Sequence, residues 1–140
     1  PETTVKLYEE RYVFIAPKSL TVSKEKQITW AEVAQIPLCL LTQNMKNRQL
    51  IDQHFFKLEI SPNIVTEASD FTAVLAQVAR GNAATIAPVS VAETFLDLKS
   101  TKQLDLTHPV MTHSVGLSIK DQSPVLPMIA ALRAAVKSAL

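Results

Sequence analysis

The chain has two glycines and one cysteine in 140 residues. Two glycines cannot build a glycine-rich phosphate loop of the P-loop or dinucleotide type. Cys39 alone cannot close an intrachain disulfide, in keeping with a reducing compartment. It sits inside the apolar run IPLCLL, where it reads as a small buried hydrophobe. No apolar run approaches the ~18 residues of a membrane span, so no membrane partner is expected. The 14 basic and 13 acidic residues, net +1, are spread without a basic stripe, which argues against direct nucleic-acid binding by this segment.

Recognisable catalytic groupings are also missing. The three histidines are His54, His108 and His113. No two have metal-ligand spacing on a helix, and no carboxylate joins them. His54 lies on the apolar stripe of a helix, as a core or flanking histidine would. There is no G-x-S-x-G elbow, and Cys39 lies mid-strand without a visible base. Glu9 and Glu10 are adjacent on a strand and face opposite sides, so they cannot act as a pair. No enzyme activity, metal or cofactor is expected.

What is present is an alternation of short apolar runs and helical stripes in a composition 47% hydrophobic and 19% charged, that of a globular protein. Val5–Ala16 reads as a long strand, its second half, Tyr12–Ala16, buried on both faces. Pro17 and the polar segment Lys18–Gln27 stop it. Thr29 and Glu32 stand at capping-box spacing, predicting a short helix over Trp30–Gln35. Strands are expected at Leu38–Leu41, Asn63–Glu67 and Ala83–Ala87, each followed by a helix. The helices begin near Asn47, after a cap at Ser69 or Asp70, and near Val89, where Ser90 and Glu93 have capping-box spacing, although Pro88 at N1 would start that helix earlier. Gly81 falls where a C′ glycine should end the second helix. Leu104–Leu106 and Thr112–Lys120 follow as strands, and Ser123-Pro124 opens a last, Ala-rich helix. Three strand–helix units argue for a parallel sheet with helical crossovers.

In such sheets ligands bind beyond the carboxyl ends of the strands. Those ends place Thr42, Gln43, Asn44, Met45, Lys46 and Asn47, then Ser69 and Asp70, then Pro88 and Val89 on one rim. The turn Thr42–Lys46 delivers amides and hydroxyls to a helix N-terminus, where free N–H groups and the helix dipole attract negative charge. Lys46 and Arg48 add to that sign. The plainer alternative is a strand–loop–helix connection whose polar residues only cap and solvate.

The order of segments LYEERYVFIAP, TWAEVAQIPLCLL, the polar turn with Arg48 and LID, then VTEASDFTAVLAQVARGNAATIAP resembles the effector-binding domain of LysR-type transcriptional regulators over essentially the whole chain. The family pattern is a PLxEx-apolar-P strand, a short helix ending in PL, an R-xx-(I/L)-D helix and E-xxxxxxxxLVAxGxGxxLLP. Two positions depart from it. Ala83 replaces the second glycine of GxG, and Lys6 replaces a proline.

The resemblance implies an α/β fold of the type-2 periplasmic-binding-protein kind, two α/β lobes joined by two crossing strands near Tyr12–Ala16 and Val110–Val115. By it, residues 1–15 arrive from the first lobe, 16–110 form the second, and 111–140 return to the first, which is incomplete here. A DNA-binding winged helix-turn-helix would precede Pro1. The partners implied are a small-molecule effector, whose contacts by position fall on Thr42–Asn47 and near Ala87–Val89, a second copy of the chain, and DNA only through the missing N-terminal part. The location implied is cytoplasmic. An extracytoplasmic solute-binding protein of the same fold is the competing expectation, and the residues upstream of Pro1 distinguish the two.

Overall fold

In a computed structural model the described residues are 2–95, 97, 99–120 and 134–135. They divide into a unit of Arg11–Met111 and a second made of the described residues before Arg11 and after Met111.

The first unit is laid out around the apolar end of β1 (Glu2–Pro17). Tyr12–Ala16 is fully buried because alternate side chains enter different cores. Tyr12, Phe14 and Ala16 join one with Ile28, Trp30, Phe55 and Leu104. Val13 and Ile15 join another with Leu75, Val78 and Ala87. A strand covered on both faces has no solvent side, hence the unbroken apolar run. Strand β1 lies between β5 (Thr85–Pro88) and β6 (Thr101–Thr107), antiparallel to both, with Tyr12 opposite Pro88 and Val13 opposite Asp105. Beyond β6 lies β2 (Gln27–Thr29), parallel to it.

The strand–helix units account for the rest. Strand β3 (Leu38–Leu41) pairs in parallel with β4 (Ile64–Ala68), with Leu41 opposite Ala68. A parallel bridge between Leu38 and Ala84 joins β3 to the segment entering β5, sealed by Cys39 N–H to the Ala84 carbonyl at 2.9 Å. Parallel pairing therefore holds among the three crossover strands. The sheet as a whole is mixed, because β5 then pairs antiparallel with β1. That corrects the simple parallel expectation: β1 runs against the crossover strands.

Helices cover both faces. On one, α1 (Trp30–Val33) and α2 (Lys46–Lys57) contribute Trp30, Val33, Ile51 and Phe55. On the other, α3 (Phe71–Ala79) and α4 (Val89–Phe95) contribute Val74, Leu75, Val78 and Ala92. The capping box forms as its spacing requires, Thr29 Oγ1 accepting from Glu32 N–H and Glu32 accepting from Thr29 N–H. The Ser23 hydroxyl and the Thr29 amide hold the Glu32 carboxyl below its ordinary pKa. Arg80 is the C-cap of α3 and Gly81 follows at φ +84. A Cβ there would meet nothing within 4 Å, so it is the backbone angle that favours glycine. Helix α4 begins one residue before Ser90, which lies inside its first turn, so the Ser90–Glu93 capping box does not form.

In the second unit β7 (Thr112–Lys120) pairs with β1, and Ser114 Oγ donates to Glu9 Oε1 at 2.7 Å. Ala134 and Ala135 are helical. The expected start of that helix at Ser123-Pro124 lies outside the described residues.

One buried polar atom carries a prediction. Thr85 is 1% exposed, and its hydroxyl has no hydrogen-bond partner among the described residues. An unpaired buried hydroxyl forfeits its hydration without return. Thr85→Val is therefore expected to leave stability unchanged or raise it by up to about 1 kcal/mol. Chemical denaturation checks it; a loss above that size would show that the hydroxyl is satisfied.

Candidate functional site

The carboxyl end of β3 runs into a turn that is held at both sides. Thr42 N–H donates to the Ala68 carbonyl at 3.1 Å, tying the turn to the end of β4. Met45 N–H donates back to the Thr42 carbonyl at 3.0 Å. Met45 is the N-cap of α2, extended at φ −86 and ψ 138, and supplies no side-chain cap. A methionine thioether is a poor acceptor, so the first-turn amides of α2 keep their capacity to donate. Helix α2 starts at Lys46, one residue before the expected start.

The polar side chains of the turn are oriented in one sense. Thr42 Oγ1 donates to Asn44 Oδ1 at 2.7 Å. Tyr12 Oη donates to Asn47 Oδ1 at 2.5 Å. Each asparagine thus has its carbonyl oxygen occupied and its NH2 group left to donate. Lys46 adds an exposed ammonium at the first helical position. Gln43 is exposed, and its carbonyl accepts from Gln49 Nε2 at 3.1 Å. The rim from Thr42 to Asn47 is in consequence a surface of donors and positive charge, suited to an acceptor-rich or anionic group.

Tyr12 is the residue that sequence reasoning missed. Its Cα is opposite Pro88, and its hydroxyl reaches Asn47. It links the end of β5 to the first turn of α2. Inside the run YVFIA it gives no signal beyond being the one member with a hydroxyl.

The other expected residues take different parts. Asp70 accepts from Ala73 N–H at 2.8 Å as the N-cap of α3, so its carboxylate serves its own helix. Ser69 is exposed beside it. Pro88 is buried, and Val89 packs against the core beneath α3 and α4. Arg48 requires a correction. It was expected to add positive charge to the rim, yet it is 4% exposed and its guanidinium is spent internally. Nε bonds Asp52 at 2.9 Å, and Nη1 bonds the Leu41 carbonyl at 2.8 Å and the Glu67 carboxylate. Burial opposes its charge, and the bonds to Glu67 and Asp52 outweigh burial, raising its pKa. Arg48 thus fastens α2 to the ends of β3 and β4. A polar cavity of ≈ 450 Å³ lies beside it, lined by Gln43, Arg48, Ile64, Val65, Thr66 and Glu67.

At the far end of α2, His54 stacks on Trp30 with centroids 5.3 Å apart and planes 11° apart. Burial and then the nearby Lys57 push its pKa down. Among the described residues no three His, Cys, Asp or Glu side chains are grouped to hold a metal ion. No described helix is long and apolar enough to cross a membrane.

Residues 2–140 match the family model of the LysR substrate binding domain. No curated protein matches the sequence. Three solved structures have a similar fold. The effector-binding domain of QuiR in complex with shikimate has TM-score 0.78 and 20% identity, over 96% of this chain and 63% of that one. CbnR, a LysR family transcriptional regulator, has TM-score 0.82 and 20% identity, over 96% and 46%; a full-length CbnR structure is a complex with target DNA. The Synechocystis PCC6803 CcmR regulatory domain in complex with 2-PG has TM-score 0.85 and 9% identity, over 98% and 66%. The chain thus spans about two-thirds or less of the structures it resembles.

Proposed function

Because the chain belongs to the LysR substrate-binding domain family, whose fold is that of type-2 periplasmic binding proteins, we propose that it is the effector-sensing part of a cytoplasmic transcription regulator and not an enzyme. The effector is a small molecule bearing a carboxylate or phosphate. Its charged end sits on the first turn of α2, within reach of the NH2 groups of Asn44 and Asn47, the Lys46 ammonium and the backbone amides that Met45 leaves uncapped. Ser69 and the Pro88–Val89 backbone edge the same rim.

The observation that carries this reading is that both asparagine carbonyls are already taken by hydroxyl donors, Thr42 Oγ1 and Tyr12 Oη. What the two asparagine side chains have left to offer is their NH2 donors. The shikimate and 2-PG complexes of QuiR and CcmR support effector binding as the role of such domains, and the DNA complex of CbnR supports a DNA-binding part elsewhere in the intact regulator. In this reading residues 1–15 come from the first lobe, 16–110 form the second and 111–140 return to the first. The intact protein pairs with a second copy, and occupancy changes how the DNA-binding parts are presented by favouring one lobe arrangement over another.

Calorimetric titration of the intact regulator with a panel of small carboxylic and phosphorylated acids, neutral analogues alongside, tests the proposal. Thr42→Ala or Asn44→Ala is expected to weaken the responding acid about fivefold, the value of one hydrogen bond near 1 kcal/mol. A panel in which only neutral compounds bind, or variants that bind the acid unchanged, would sink the assignment.

A further inference from the structure

Helix α2 is bonded at its first turn to the segment by which the chain enters the Arg11–Met111 unit and linked at its last turn, through Trp30 of α1, to the segment by which the chain leaves it. At its first turn Asn47 receives the Tyr12 hydroxyl from β1, at 2.5 Å. At its last turn the His54 ring lies flat on Trp30, 5.3 Å between centroids. Phe55 of the same turn meets Trp30 edge-on at 4.9 Å. The Trp30 indole N–H in turn donates to the Pro109 carbonyl at 2.8 Å. Two residues later the Met111 carbonyl accepts from Tyr12 N–H at 2.9 Å, closing the circuit onto β1. Trp30 is fully buried. Its side chain touches both α2 and the segment leading into β7.

We propose that Trp30 is a positioning residue that clamps the chain's exit at Pro109 to the last turn of α2, so that a shift of α2 is passed to both connecting strands. This rests on the reading of the α2 first turn as the effector seat, and it supplies the regulation of that seat. A rigid helix displaced at its first turn must carry its last turn with it. The flat stack and the single indole bond then move the Pro109–Met111 segment and, through Met111, Tyr12. Arg48, third residue of the helix, ties that first turn to the ends of β3 and β4, so a push there tilts the helix about Arg48 and is registered at its last turn.

Amide hydrogen exchange on the intact protein, without any effector, tests the clamp. The reporter is the Tyr12 amide bonded to Met111, and the control is the Cys39 amide bonded to Ala84 within the sheet. Trp30→Phe keeps an aromatic ring and removes the N–H donor. His54→Ala removes the stacked ring and leaves the indole bond; at its half-buried position it carries the test alone should Trp30→Phe fail to fold. Each is expected to speed exchange at Tyr12 about fivefold or more, as loss of one hydrogen bond's restraint implies, with Cys39 unchanged. Three outcomes overturn the proposal. Either Tyr12 stays protected in Trp30→Phe, or it stays protected in His54→Ala, or Tyr12 and Cys39 accelerate together as general loosening would require. None involves the rim residues, so failure of the effector assignment would show in the titrations and not in these rates.

Discussion

Arg48→Met is expected to cost about 2–3 kcal/mol of stability and to lower the melting temperature by roughly 10 °C. The side chain is 5% exposed, while those of Asp52 and Glu67 are 41% and 42% exposed. Removing the cation therefore leaves carboxylates that water can reach, and the loss stays below the ~3–5 kcal/mol of a stranded buried charge. What disappears is the bond to the Leu41 carbonyl and the tie between β4 and α2. Glu67→Gln is the contrasting variant. Asp52 still pairs with the guanidinium, so its cost is expected near 1 kcal/mol. Denaturant unfolding of both variants decides the point. Equal small losses would mean that the network is ordinary surface pairing.

Lys46→Glu is expected to separate stability from binding. An acidic residue at the first position of α2 meets the positive end of the helix dipole and should stabilise by about 0.3–1 kcal/mol. The same change puts a negative charge where the proposed effector carries its own. With both groups near water, reversing one unit charge at a few ångströms is worth about 1.5 kcal/mol, or tenfold in affinity. The loss should shrink in high salt, because the group is exposed. A variant that melts no lower yet binds the acid about tenfold more weakly supports the rim as the site. Unchanged affinity at low salt would remove Lys46 and the helix start from it.

Local signals carried much of this fold. The Thr29–Glu32 spacing, the apolar block Leu38–Leu41 and the Arg80-Gly81 helix end each report a geometry set within a few residues, and each formed where expected. Strand β2 was hidden because Ile28 is its only apolar residue. Its partner β6 is remote in sequence and supplies the pairing. The antiparallel seam of β1 with β5 was likewise invisible, since strand direction leaves no mark on an apolar run. At the site, Thr42–Asn47 was legible as a polar turn before a helix, and the structure shows which way its amides are held. The engagement of Arg48 was half legible, for Asp52 stands four residues on at helical spacing. Its bonds to Leu41 and Glu67 cross between elements, and no local pattern encodes them. Tyr12 was missed for the same reason.

Tyr12 also bears on how such a sensor can diverge. The side-chain donors Asn44, Lys46 and Asn47 lie within four residues of one another, so in the proposed reading a few neighbouring codons can retune which head group is preferred. Tyr12 has no such latitude. At 1% exposure it must be a large apolar body, and its far end must offer a hydroxyl to Asn47. Phenylalanine meets the first demand only, and serine or threonine the second only. Tyrosine alone of the twenty meets both, so substitution at this position is confined by two unrelated requirements, and Asn47 shares the second of them while the rest of the turn does not.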